Sequence, residues 1–287
     1  MTVDDGMQSD EAVFRIDRCD LRTSAGRWPY AVERSAEIDA AWSVRLSRAP
    51  HFWNGTVLLL RRSTARVSGG VLSGGVLSGG VLSGEMWVSD FKSFAHWKDA
   101  GRPDADAFDC FGSIILRSAE GHVLLGRQRQ GLSAGQCYLP SGVIDDADID
   151  PEPGSGDMGG YRRVGTGAGV GVDAAAGVAA AMAGTVNIDR NVVREMAEET
   201  GLDACLLPRR PGYLLTRAGS LMSIGVVFDT GVPSADLRAD ILGHIARDPD
   251  PELADVIAIA SPADFAGLAV QRYSVLAIEH LLAEMLR

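Results

Sequence analysis

Glu195, Glu198 and Glu199 stand close together in the segment 194–202, which has the sequence Arg-Glu-Met-Ala-Glu-Glu-Thr-Gly-Leu. At spacings of i, i+3 and i+4 the three side chains would share one face of a helix. Like charges at these spacings destabilise a helix, and each carboxyl group resists ionising beside the others. A bound divalent cation removes the repulsion, and all-oxygen ligation suits Mg²⁺ or Mn²⁺. The competing interpretation is an acidic helix face exposed to solvent.

Two segments of the chain must position these carboxylates. Residues 190–200 are predicted to be a helix, with Asp189 placed to cap its start and Gly201 to end it. Upstream, an extended segment ends in Leu-Pro-Ser-Gly at 139–142. The stretch 151–187 between them is rich in Gly and Ala, which is typical of a low-complexity insertion.

Together the two segments resemble the sequence box of the Nudix hydrolase family. That box is a glycine, five residues, a glutamate, seven residues, and then Arg-Glu-aliphatic-x-Glu-Glu-x-Gly-aliphatic. The second half is complete here, whereas in the first half Ser141 replaces a glycine and Asp148 stands where the family has Glu. About 45 residues, instead of seven, separate Asp148 from Arg194. We interpret residues 149–186 as an insertion inside the box.

The resemblance implies roles for the residues of the box. Glu198 and Glu199 would be the main metal ligands, and Glu195 would be a further ligand or the general base. The backbone carbonyl of Gly142 would join the metal ligands, and Arg194 would pair with a neighbouring glutamate and orient it. The implied cofactor is Mg²⁺ or Mn²⁺.

Residues outside the box complete the expected site. Family members often take a further acid from a later loop, for which Glu252 is the first candidate and Asp255 the second. Arg127 and Arg129 precede the box at a strand end, where forked guanidinium contacts could hold phosphate. The implied reaction is metal-dependent hydrolysis of the pyrophosphate linkage in a nucleoside diphosphate joined to another moiety. A nucleotide sugar or an ADP-ribose type of substrate is favoured over a coenzyme A type.

The resemblance covers about residues 105–275 and implies an α/β fold, namely a Nudix-type α/β/α sandwich with a mixed sheet. We predict a Nudix hydrolase domain over 105–287, preceded by a small α+β N-terminal domain over 1–104. A Gly-Gly-Val-Leu-Ser repeat occupies 69–83, and its period of five matches no common solenoid and fits a hairpin. The N-terminal domain could shape the substrate pocket or, with the last helix, support a homodimer.

Charge and composition narrow the classes of partner. The 287 residues include 27 basic and 38 acidic ones, and the net charge of −11 argues against a nucleic-acid partner. Only Lys92 and Lys98 are lysines, so arginine supplies nearly all the positive charge. The four cysteines form no Cys-x-x-Cys pair, which predicts reduced thiols and a cytoplasmic location. The sequence has no run of about 20 strongly apolar residues, so no membrane partner is expected.

Two other functions stay open at this point. A Nudix-like domain could bind nucleotides as a sensor without turnover, because Asp148 and the insertion depart from the family pattern. The segment 131–135 fits the Gly-x-Ser-x-Gly pattern of an α/β-hydrolase, with Ser133 as nucleophile and His244 and His280 downstream. That nucleophile elbow needs a strand, a sharp turn and then a helix, whereas an extended segment is predicted after Ser133.

Overall fold

The computed structural model describes residues 10–50, 52–73, 76–152 and 182–285. Within these ranges the helices are α1 (Pro29–Glu33), α2 (Ser35–Arg48), α3 (Phe91–Asp99), α4 (Ile188–Glu195), α5 (Ser234–Ile245) and α6 (Arg272–Glu284). The strands are β1 (Glu11–Arg27), β2 (Thr56–Arg61), β3 (Arg66–Ser73), β4 (Val76–Asp90), β5 (Ala107–Arg117), β6 (Val123–Gln128), β7 (Cys137–Tyr138), β8 (Ser141–Val143), β9 (Ile149–Pro151), β10 (Gly184–Val186), β11 (Tyr213–Ala218), β12 (Leu221–Asp229) and β13 (Leu253–Ile259).

The described strands form one mixed sheet. Its main order is β3-β4-β2-β5-β12-β11-β1-β10-β9. Beside this path, β6 and β8 pair with β5, and β7 and β13 pair with β6. Strand β5 pairs antiparallel with β2 and parallel with β12. Because β1 also pairs parallel with β4, the path from β4 to β1 closes on itself. The predicted α/β fold with a mixed sheet is confirmed.

Strand β5 lies in the interior of the sheet, and its burial agrees with that position. Every residue of β5 except the last is buried, as expected of a strand that is covered on both faces. Gly112 of β5 pairs with Gly142 of β8 beneath α4. A Cβ on Gly112 would lie 2.3 Å from Oδ1 of Asn191, and one on Gly142 would lie 1.9 Å from Cδ of Glu195. The two glycines therefore let α4 approach closely, which brings Glu195 down onto β8.

Strands from both sides of residue 104 hydrogen-bond within the sheet. Leu60 of β2 pairs with Phe108 of β5, and β1 pairs with β11 along Glu11–Ile16. A second apolar cluster packs against the N-terminal helices, and its buried members are Trp28, Tyr30, Ile38, Val57, Leu59, Trp87, Phe94, Trp97 and Ala107. The described residues of the repeat, 69–73 and 76–83, lie in the antiparallel pair of strands β3 and β4. The division into two domains stays a prediction.

The ends of the predicted insertion lie side by side. Strands β9 and β10 pair antiparallel, with Ile149 opposite Val186 and Pro151 opposite Gly184. The backbone N–H of Asn187 donates to the carbonyl of Asp148 at 2.8 Å. The two halves of the box therefore meet directly, whereas residues 153–181 lie outside the described residues. Among the described helices, none has the length and apolar character needed to cross a membrane.

Candidate functional site

The helix that bears the carboxylates starts slightly earlier than predicted. Asn187, rather than Asp189, caps α4 by accepting a hydrogen bond from the backbone N–H of Arg190 at 3.0 Å. Asp189 lies in the first turn, where it accepts from the hydroxyl of Tyr213 at 2.8 Å. The predicted cap is thus wrong by two residues, because Asn and Asp are equally suited to capping and the sequence offers both.

After Glu195 the helix widens into a π-helical turn over Met196–Thr200. Gly201 ends this turn in the left-handed region at φ 70°, as predicted. The π turn leaves Glu195 and Glu199 buried, while the side chain of Glu198 is 58% exposed. The three side chains therefore have different surroundings instead of one evenly exposed helix face. Such turns are frequent at functional sites.

Arg194 links the acids from both halves of the box. Its guanidinium donates to Oε1 of Glu195 at 2.6 Å and to Oδ2 of Asp148 at 3.0 Å. Asp145 and Glu198 each lie 3.5 Å from a terminal nitrogen of the same group. Burial acts to lower the pKa of Arg194, but Glu195 and Asp148 outweigh it and raise that pKa above its ordinary value. Arg194 therefore stays charged and holds Glu195 in place.

Asp148 completes the box from across the insertion. Its side chain is fully buried, and its Oδ2 accepts from Nδ2 of Asn191 at 2.9 Å as well as from Arg194. The backbone N–H of Asp145 donates to the same oxygen at 3.1 Å. Its Oδ1 has no hydrogen-bond partner among the described residues. The shorter acid at this position thus orients the arginine of the box.

Glu199 is the most deeply buried of the three glutamates. The hydroxyl of Tyr138 donates to its Oε1 at 2.9 Å, whereas its Oε2 is buried with no hydrogen-bond partner among the described residues. Burial raises the pKa of Glu199 well above its usual range, and Glu252 and Glu195 raise it further, against the opposing effect of hydrogen bonds from Tyr138 and from the backbone of Ser141. Burial also raises the pKa of Glu195 to about 8, against the opposing effect of Arg194.

Glu252 lies beside these glutamates, in the loop before β13. Its backbone carbonyl accepts from the N–H of Arg129 at 2.7 Å, which fixes the loop against the end of β6. Partial desolvation by the cleft walls, followed by repulsion from Glu198, raises the pKa of Glu252. Asp255, the second candidate, instead pairs with Arg238 at 2.8 Å. We call Glu195, Glu198, Glu199 and Glu252 the carboxylate cluster.

The carboxylate cluster suits a divalent cation by its chemistry. No three acidic, imidazole or thiol side chains of the described residues already converge as a ligand set. The test of fit is the unpartnered Oε2 of Glu199, since a buried carboxylate oxygen without a donor is costly unless a cation binds it. Neighbouring acids also raise the pKa of Glu195, Glu199 and Glu252, although Arg194 opposes the shift at Glu195 and Glu252. Hard oxygen donors of this kind fit Mg²⁺ or Mn²⁺.

A cleft of about 370 Å³ opens beside the carboxylate cluster. Three acids, Glu195, Glu198 and Glu252, line it together with Gly142. Other lining residues come from the N-terminal part of the chain and include Phe52, Phe91, Phe94, Lys98 and Arg102. Sequence analysis missed these residues and Tyr138, because nothing in their local spacing links them to the box; their aromatic and basic character is the only available signal.

Arg127 and Arg129 are not among the residues that line the cleft in the described structure, whereas Gln128 between them is. Alternate residues of a strand point to opposite faces, so Gln128 and its two neighbours face different ways. Arg127 lies opposite Asp255 in the β6–β13 ladder. Their binding of phosphate stays a prediction.

The nucleophile elbow suggested for Ser133 is wrong. Ser133 lies in a turn that leads into strand β7 rather than into a helix. Its hydroxyl accepts a hydrogen bond from Nζ of Lys98 at 2.8 Å. His244 contacts the backbone carbonyl of Glu198, and His280 pairs with Glu284. A serine hydrolase needs its base on the nucleophile, and here both histidines serve other partners.

No family model matches the chain, and no curated protein matches it. Its fold is similar to several solved structures. One is a Nudix hydrolase from M. smegmatis, RenU, at 14% identity over 62% of this chain and 84% of that chain, with a TM-score of 0.33. Another is Shewanella oneidensis NrtR complexed with a 27mer DNA, at 13% identity over 62% and 61% of the two chains, with a TM-score of 0.34.

A third is the NUDIX domain of Shewanella oneidensis NrtR complexed with ADP ribose, at 14% identity over 67% of this chain and 98% of that chain, with a TM-score of 0.31. Because these TM-scores are low, the likenesses assign neither a family nor an activity to the chain. The absence of a nucleic-acid partner, the cytoplasmic location and the homodimer likewise stay predictions.

Proposed function

We propose that the chain hydrolyses the pyrophosphate linkage of a nucleoside diphosphate joined to another moiety, with Mg²⁺ or Mn²⁺ as cofactor. The observation that supports this most is the carboxylate cluster, in which the buried Glu199 retains an oxygen without a partner among the described residues. The cluster borders a cleft large enough for part of a nucleotide. A chain with a net charge of −11 can bind such an anion where a cation reverses the local charge.

In this proposal each residue of the cluster has a separate task. Glu198, Glu199 and Glu195 would hold the cation together with the backbone carbonyl of Gly142. When bound, the cation would neutralise the phosphates and activate water for attack. Arg194 keeps Glu195 oriented through their 2.6 Å contact. Glu252 is open to the cleft and accepts the proton of the attacking water.

Two aromatic residues that line the cleft favour a nucleoside as part of the ligand. The rings of Phe52 and Phe91 stack with centroids 6.1 Å apart and an interplanar angle of 20°. Both are half-buried and both line the cleft, so they offer an aromatic edge for a base. We favour a nucleotide sugar or an ADP-ribose type of substrate, with a coenzyme A type as the alternative.

A sensor that binds nucleotide without turnover is the second candidate. The observation that favours it is Arg194, whose guanidinium already contacts Asp148 and Glu195. A cation bound at the cluster must share Glu195 with this guanidinium. A sensor would bind ADP-ribose tightly and release no product.

A substrate panel separates the two candidates. Purified protein is incubated with ADP-ribose, a UDP-sugar and coenzyme A, each with Mg²⁺ and with EDTA, and products are followed by ³¹P nuclear magnetic resonance. We expect two phosphomonoester products from at least one substrate, only with Mg²⁺. Binding of all three without any product would favour the sensor, and equal turnover in EDTA would refute the metal-dependent reaction.

A further inference from the structure

Two cations line the same cleft as the carboxylate cluster. Lys98 is at the end of α3, and Arg102 follows three residues after that helix. Nζ of Lys98 donates to the hydroxyl of Ser133 at 2.8 Å, and a terminal nitrogen of Arg102 lies 2.9 Å from Oδ2 of Asp109. All four residues line the cleft. We call Lys98 and Arg102 the cation pair.

The cation pair is held in place by neighbours that neutralise only part of its charge. Asp109 is 6% exposed, and it is the acid lining the described cleft that pairs with Arg102. Ser133 fixes Lys98 but carries no charge. Outside the cleft, Asp99 also attracts the charge of Lys98, but its carboxylate is already paired with Arg45. The three cations Lys98, Arg102 and Arg45 therefore have two carboxylates near them, those of Asp109 and Asp99. This count leaves a net charge of +1.

The pKa of Lys98 and the hydrogen bonds of Arg102 both indicate that this positive charge is poorly compensated. Burial lowers the pKa of Lys98, and the nearby Arg102 adds to that effect while Asp109 opposes it. Nε of Arg102 is buried and has no hydrogen-bond partner among the described residues. A buried guanidinium N–H without an acceptor is destabilising, so the hydrogen bonds of Arg102 are incomplete in the described structure, and phosphate is an acceptor of the kind that a guanidinium prefers.

We propose that Lys98 and Arg102 form a binding subsite for a phosphoryl group of the ligand that occupies the cleft. The inference rests on the proposed function only in treating the cleft as the substrate site. The cleft then has acidic lining residues, where a cation would mediate contact with phosphate, and basic lining residues, which contact phosphate directly. A ligand with phosphate oxygens toward both sets of residues would be bound in one orientation. Lys98 and Arg102 would thereby determine specificity without acting in the chemical step.

The first test measures phosphate binding without metal or turnover. Inorganic phosphate is titrated calorimetrically into the wild type and into Lys98→Gln and Arg102→Gln, all in EDTA. Lys92→Gln is the matched control, because Lys92 lies on the same helix and pairs with Asp39. We expect saturable binding that weakens at least tenfold in both cleft variants and less than twofold in the control.

Absence of saturable phosphate binding to the wild type would overturn the proposal, as would equal weakening by Lys92→Gln, which would indicate a general charge effect. Arg102→Gln leaves Asp109 buried without its partner, so its unfolding is measured alongside. Lys98→Gln keeps Asp109 paired with Arg102, and unchanged phosphate affinity in this variant alone refutes the subsite. Glu198→Gln should bind phosphate in EDTA as the wild type does, so failure of the proposed hydrolysis is distinguishable from failure of this inference.

The second test identifies which phosphate is bound. KM and kcat are compared for ADP-ribose and for coenzyme A, which carries an additional phosphomonoester. Lys98→Gln should raise KM at least fivefold with kcat changed less than twofold. A rise for both substrates assigns the subsite to the diphosphate, and a rise for coenzyme A alone assigns it to the phosphomonoester. A loss confined to kcat would contradict a binding role.

Discussion

Replacing Glu198 with glutamine is expected to reduce metal-dependent hydrolysis by at least about 10³-fold. A bound cation contributes several kcal/mol to transition-state stabilisation, and each 1.36 kcal/mol corresponds to a factor of ten in rate. The variant keeps the size of the side chain but removes one anionic ligand. Because the Glu198 side chain is 58% exposed, the fold should be unaffected. Steady-state turnover of the best substrate, with unfolding curves alongside, measures both effects.

Glu279→Gln is the matched control for this prediction. Glu279 is an exposed acid on α6 and does not line the cleft. The substitution changes the net charge by the same amount, so turnover should stay within about twofold of the wild type. Full activity in Glu198→Gln would show that the carboxylate cluster is not the catalytic site.

Replacing Asp148 with alanine should destabilise the protein by about 3–5 kcal/mol, the range seen when one partner of a buried ion pair is removed. Asp148 is fully buried and accepts from Asn191, Arg194 and a backbone N–H. The substitution leaves those donors without their acceptor and lets Arg194 move away from Glu195. Chemical denaturation measures the free energy of unfolding, and turnover should fall with it.

Asp146→Ala provides the comparison, because Asp146 lies in the same short turn but is exposed. Its free energy of unfolding should stay within about 0.5 kcal/mol of the wild type. If Asp148→Ala were no less stable than Asp146→Ala, the link between the two halves of the box would not be structural.

Local patterns along the chain were sufficient to predict the three glutamates of the box, Glu195, Glu198 and Glu199. The box from 194 to 202 places its acids on one continuous helical segment, so short-range spacing alone brings them together. Gly201 ends that segment because it adopts a positive φ, which few other residues tolerate. Glu252 was found only through the family resemblance, since its proximity depends on the pairing of β6 with β13.

The cleft residues from the N-terminal part of the chain could not be predicted, because their positions depend on contacts between distant parts of the chain. Lys98 reaches Ser133 across 35 residues of sequence. The parallel pairing of β1 with β4 and the π turn at Met196–Thr200 have no strong local signal either. Tyr138 contacts Glu199 across 61 residues, so an ordinary strand tyrosine becomes part of the site only in the folded chain.

The central claim is that the carboxylate cluster binds a divalent cation. Burial raises the pKa of Glu195 to about 8, so this carboxyl holds a proton at pH 7 that a cation must displace. Between pH 6 and pH 8 fewer protons have to be displaced as the pH rises. The apparent affinity for the cation should therefore increase with pH in that interval.

Calorimetric titration of the metal-free protein with Mn²⁺ at pH 7, in two buffers with different ionisation enthalpies, tests this claim most directly. The account predicts saturable binding with net release of protons, and at least tenfold weaker binding in Glu198→Gln. Absence of saturable binding, binding without proton release, or equal affinity in Glu198→Gln would contradict it.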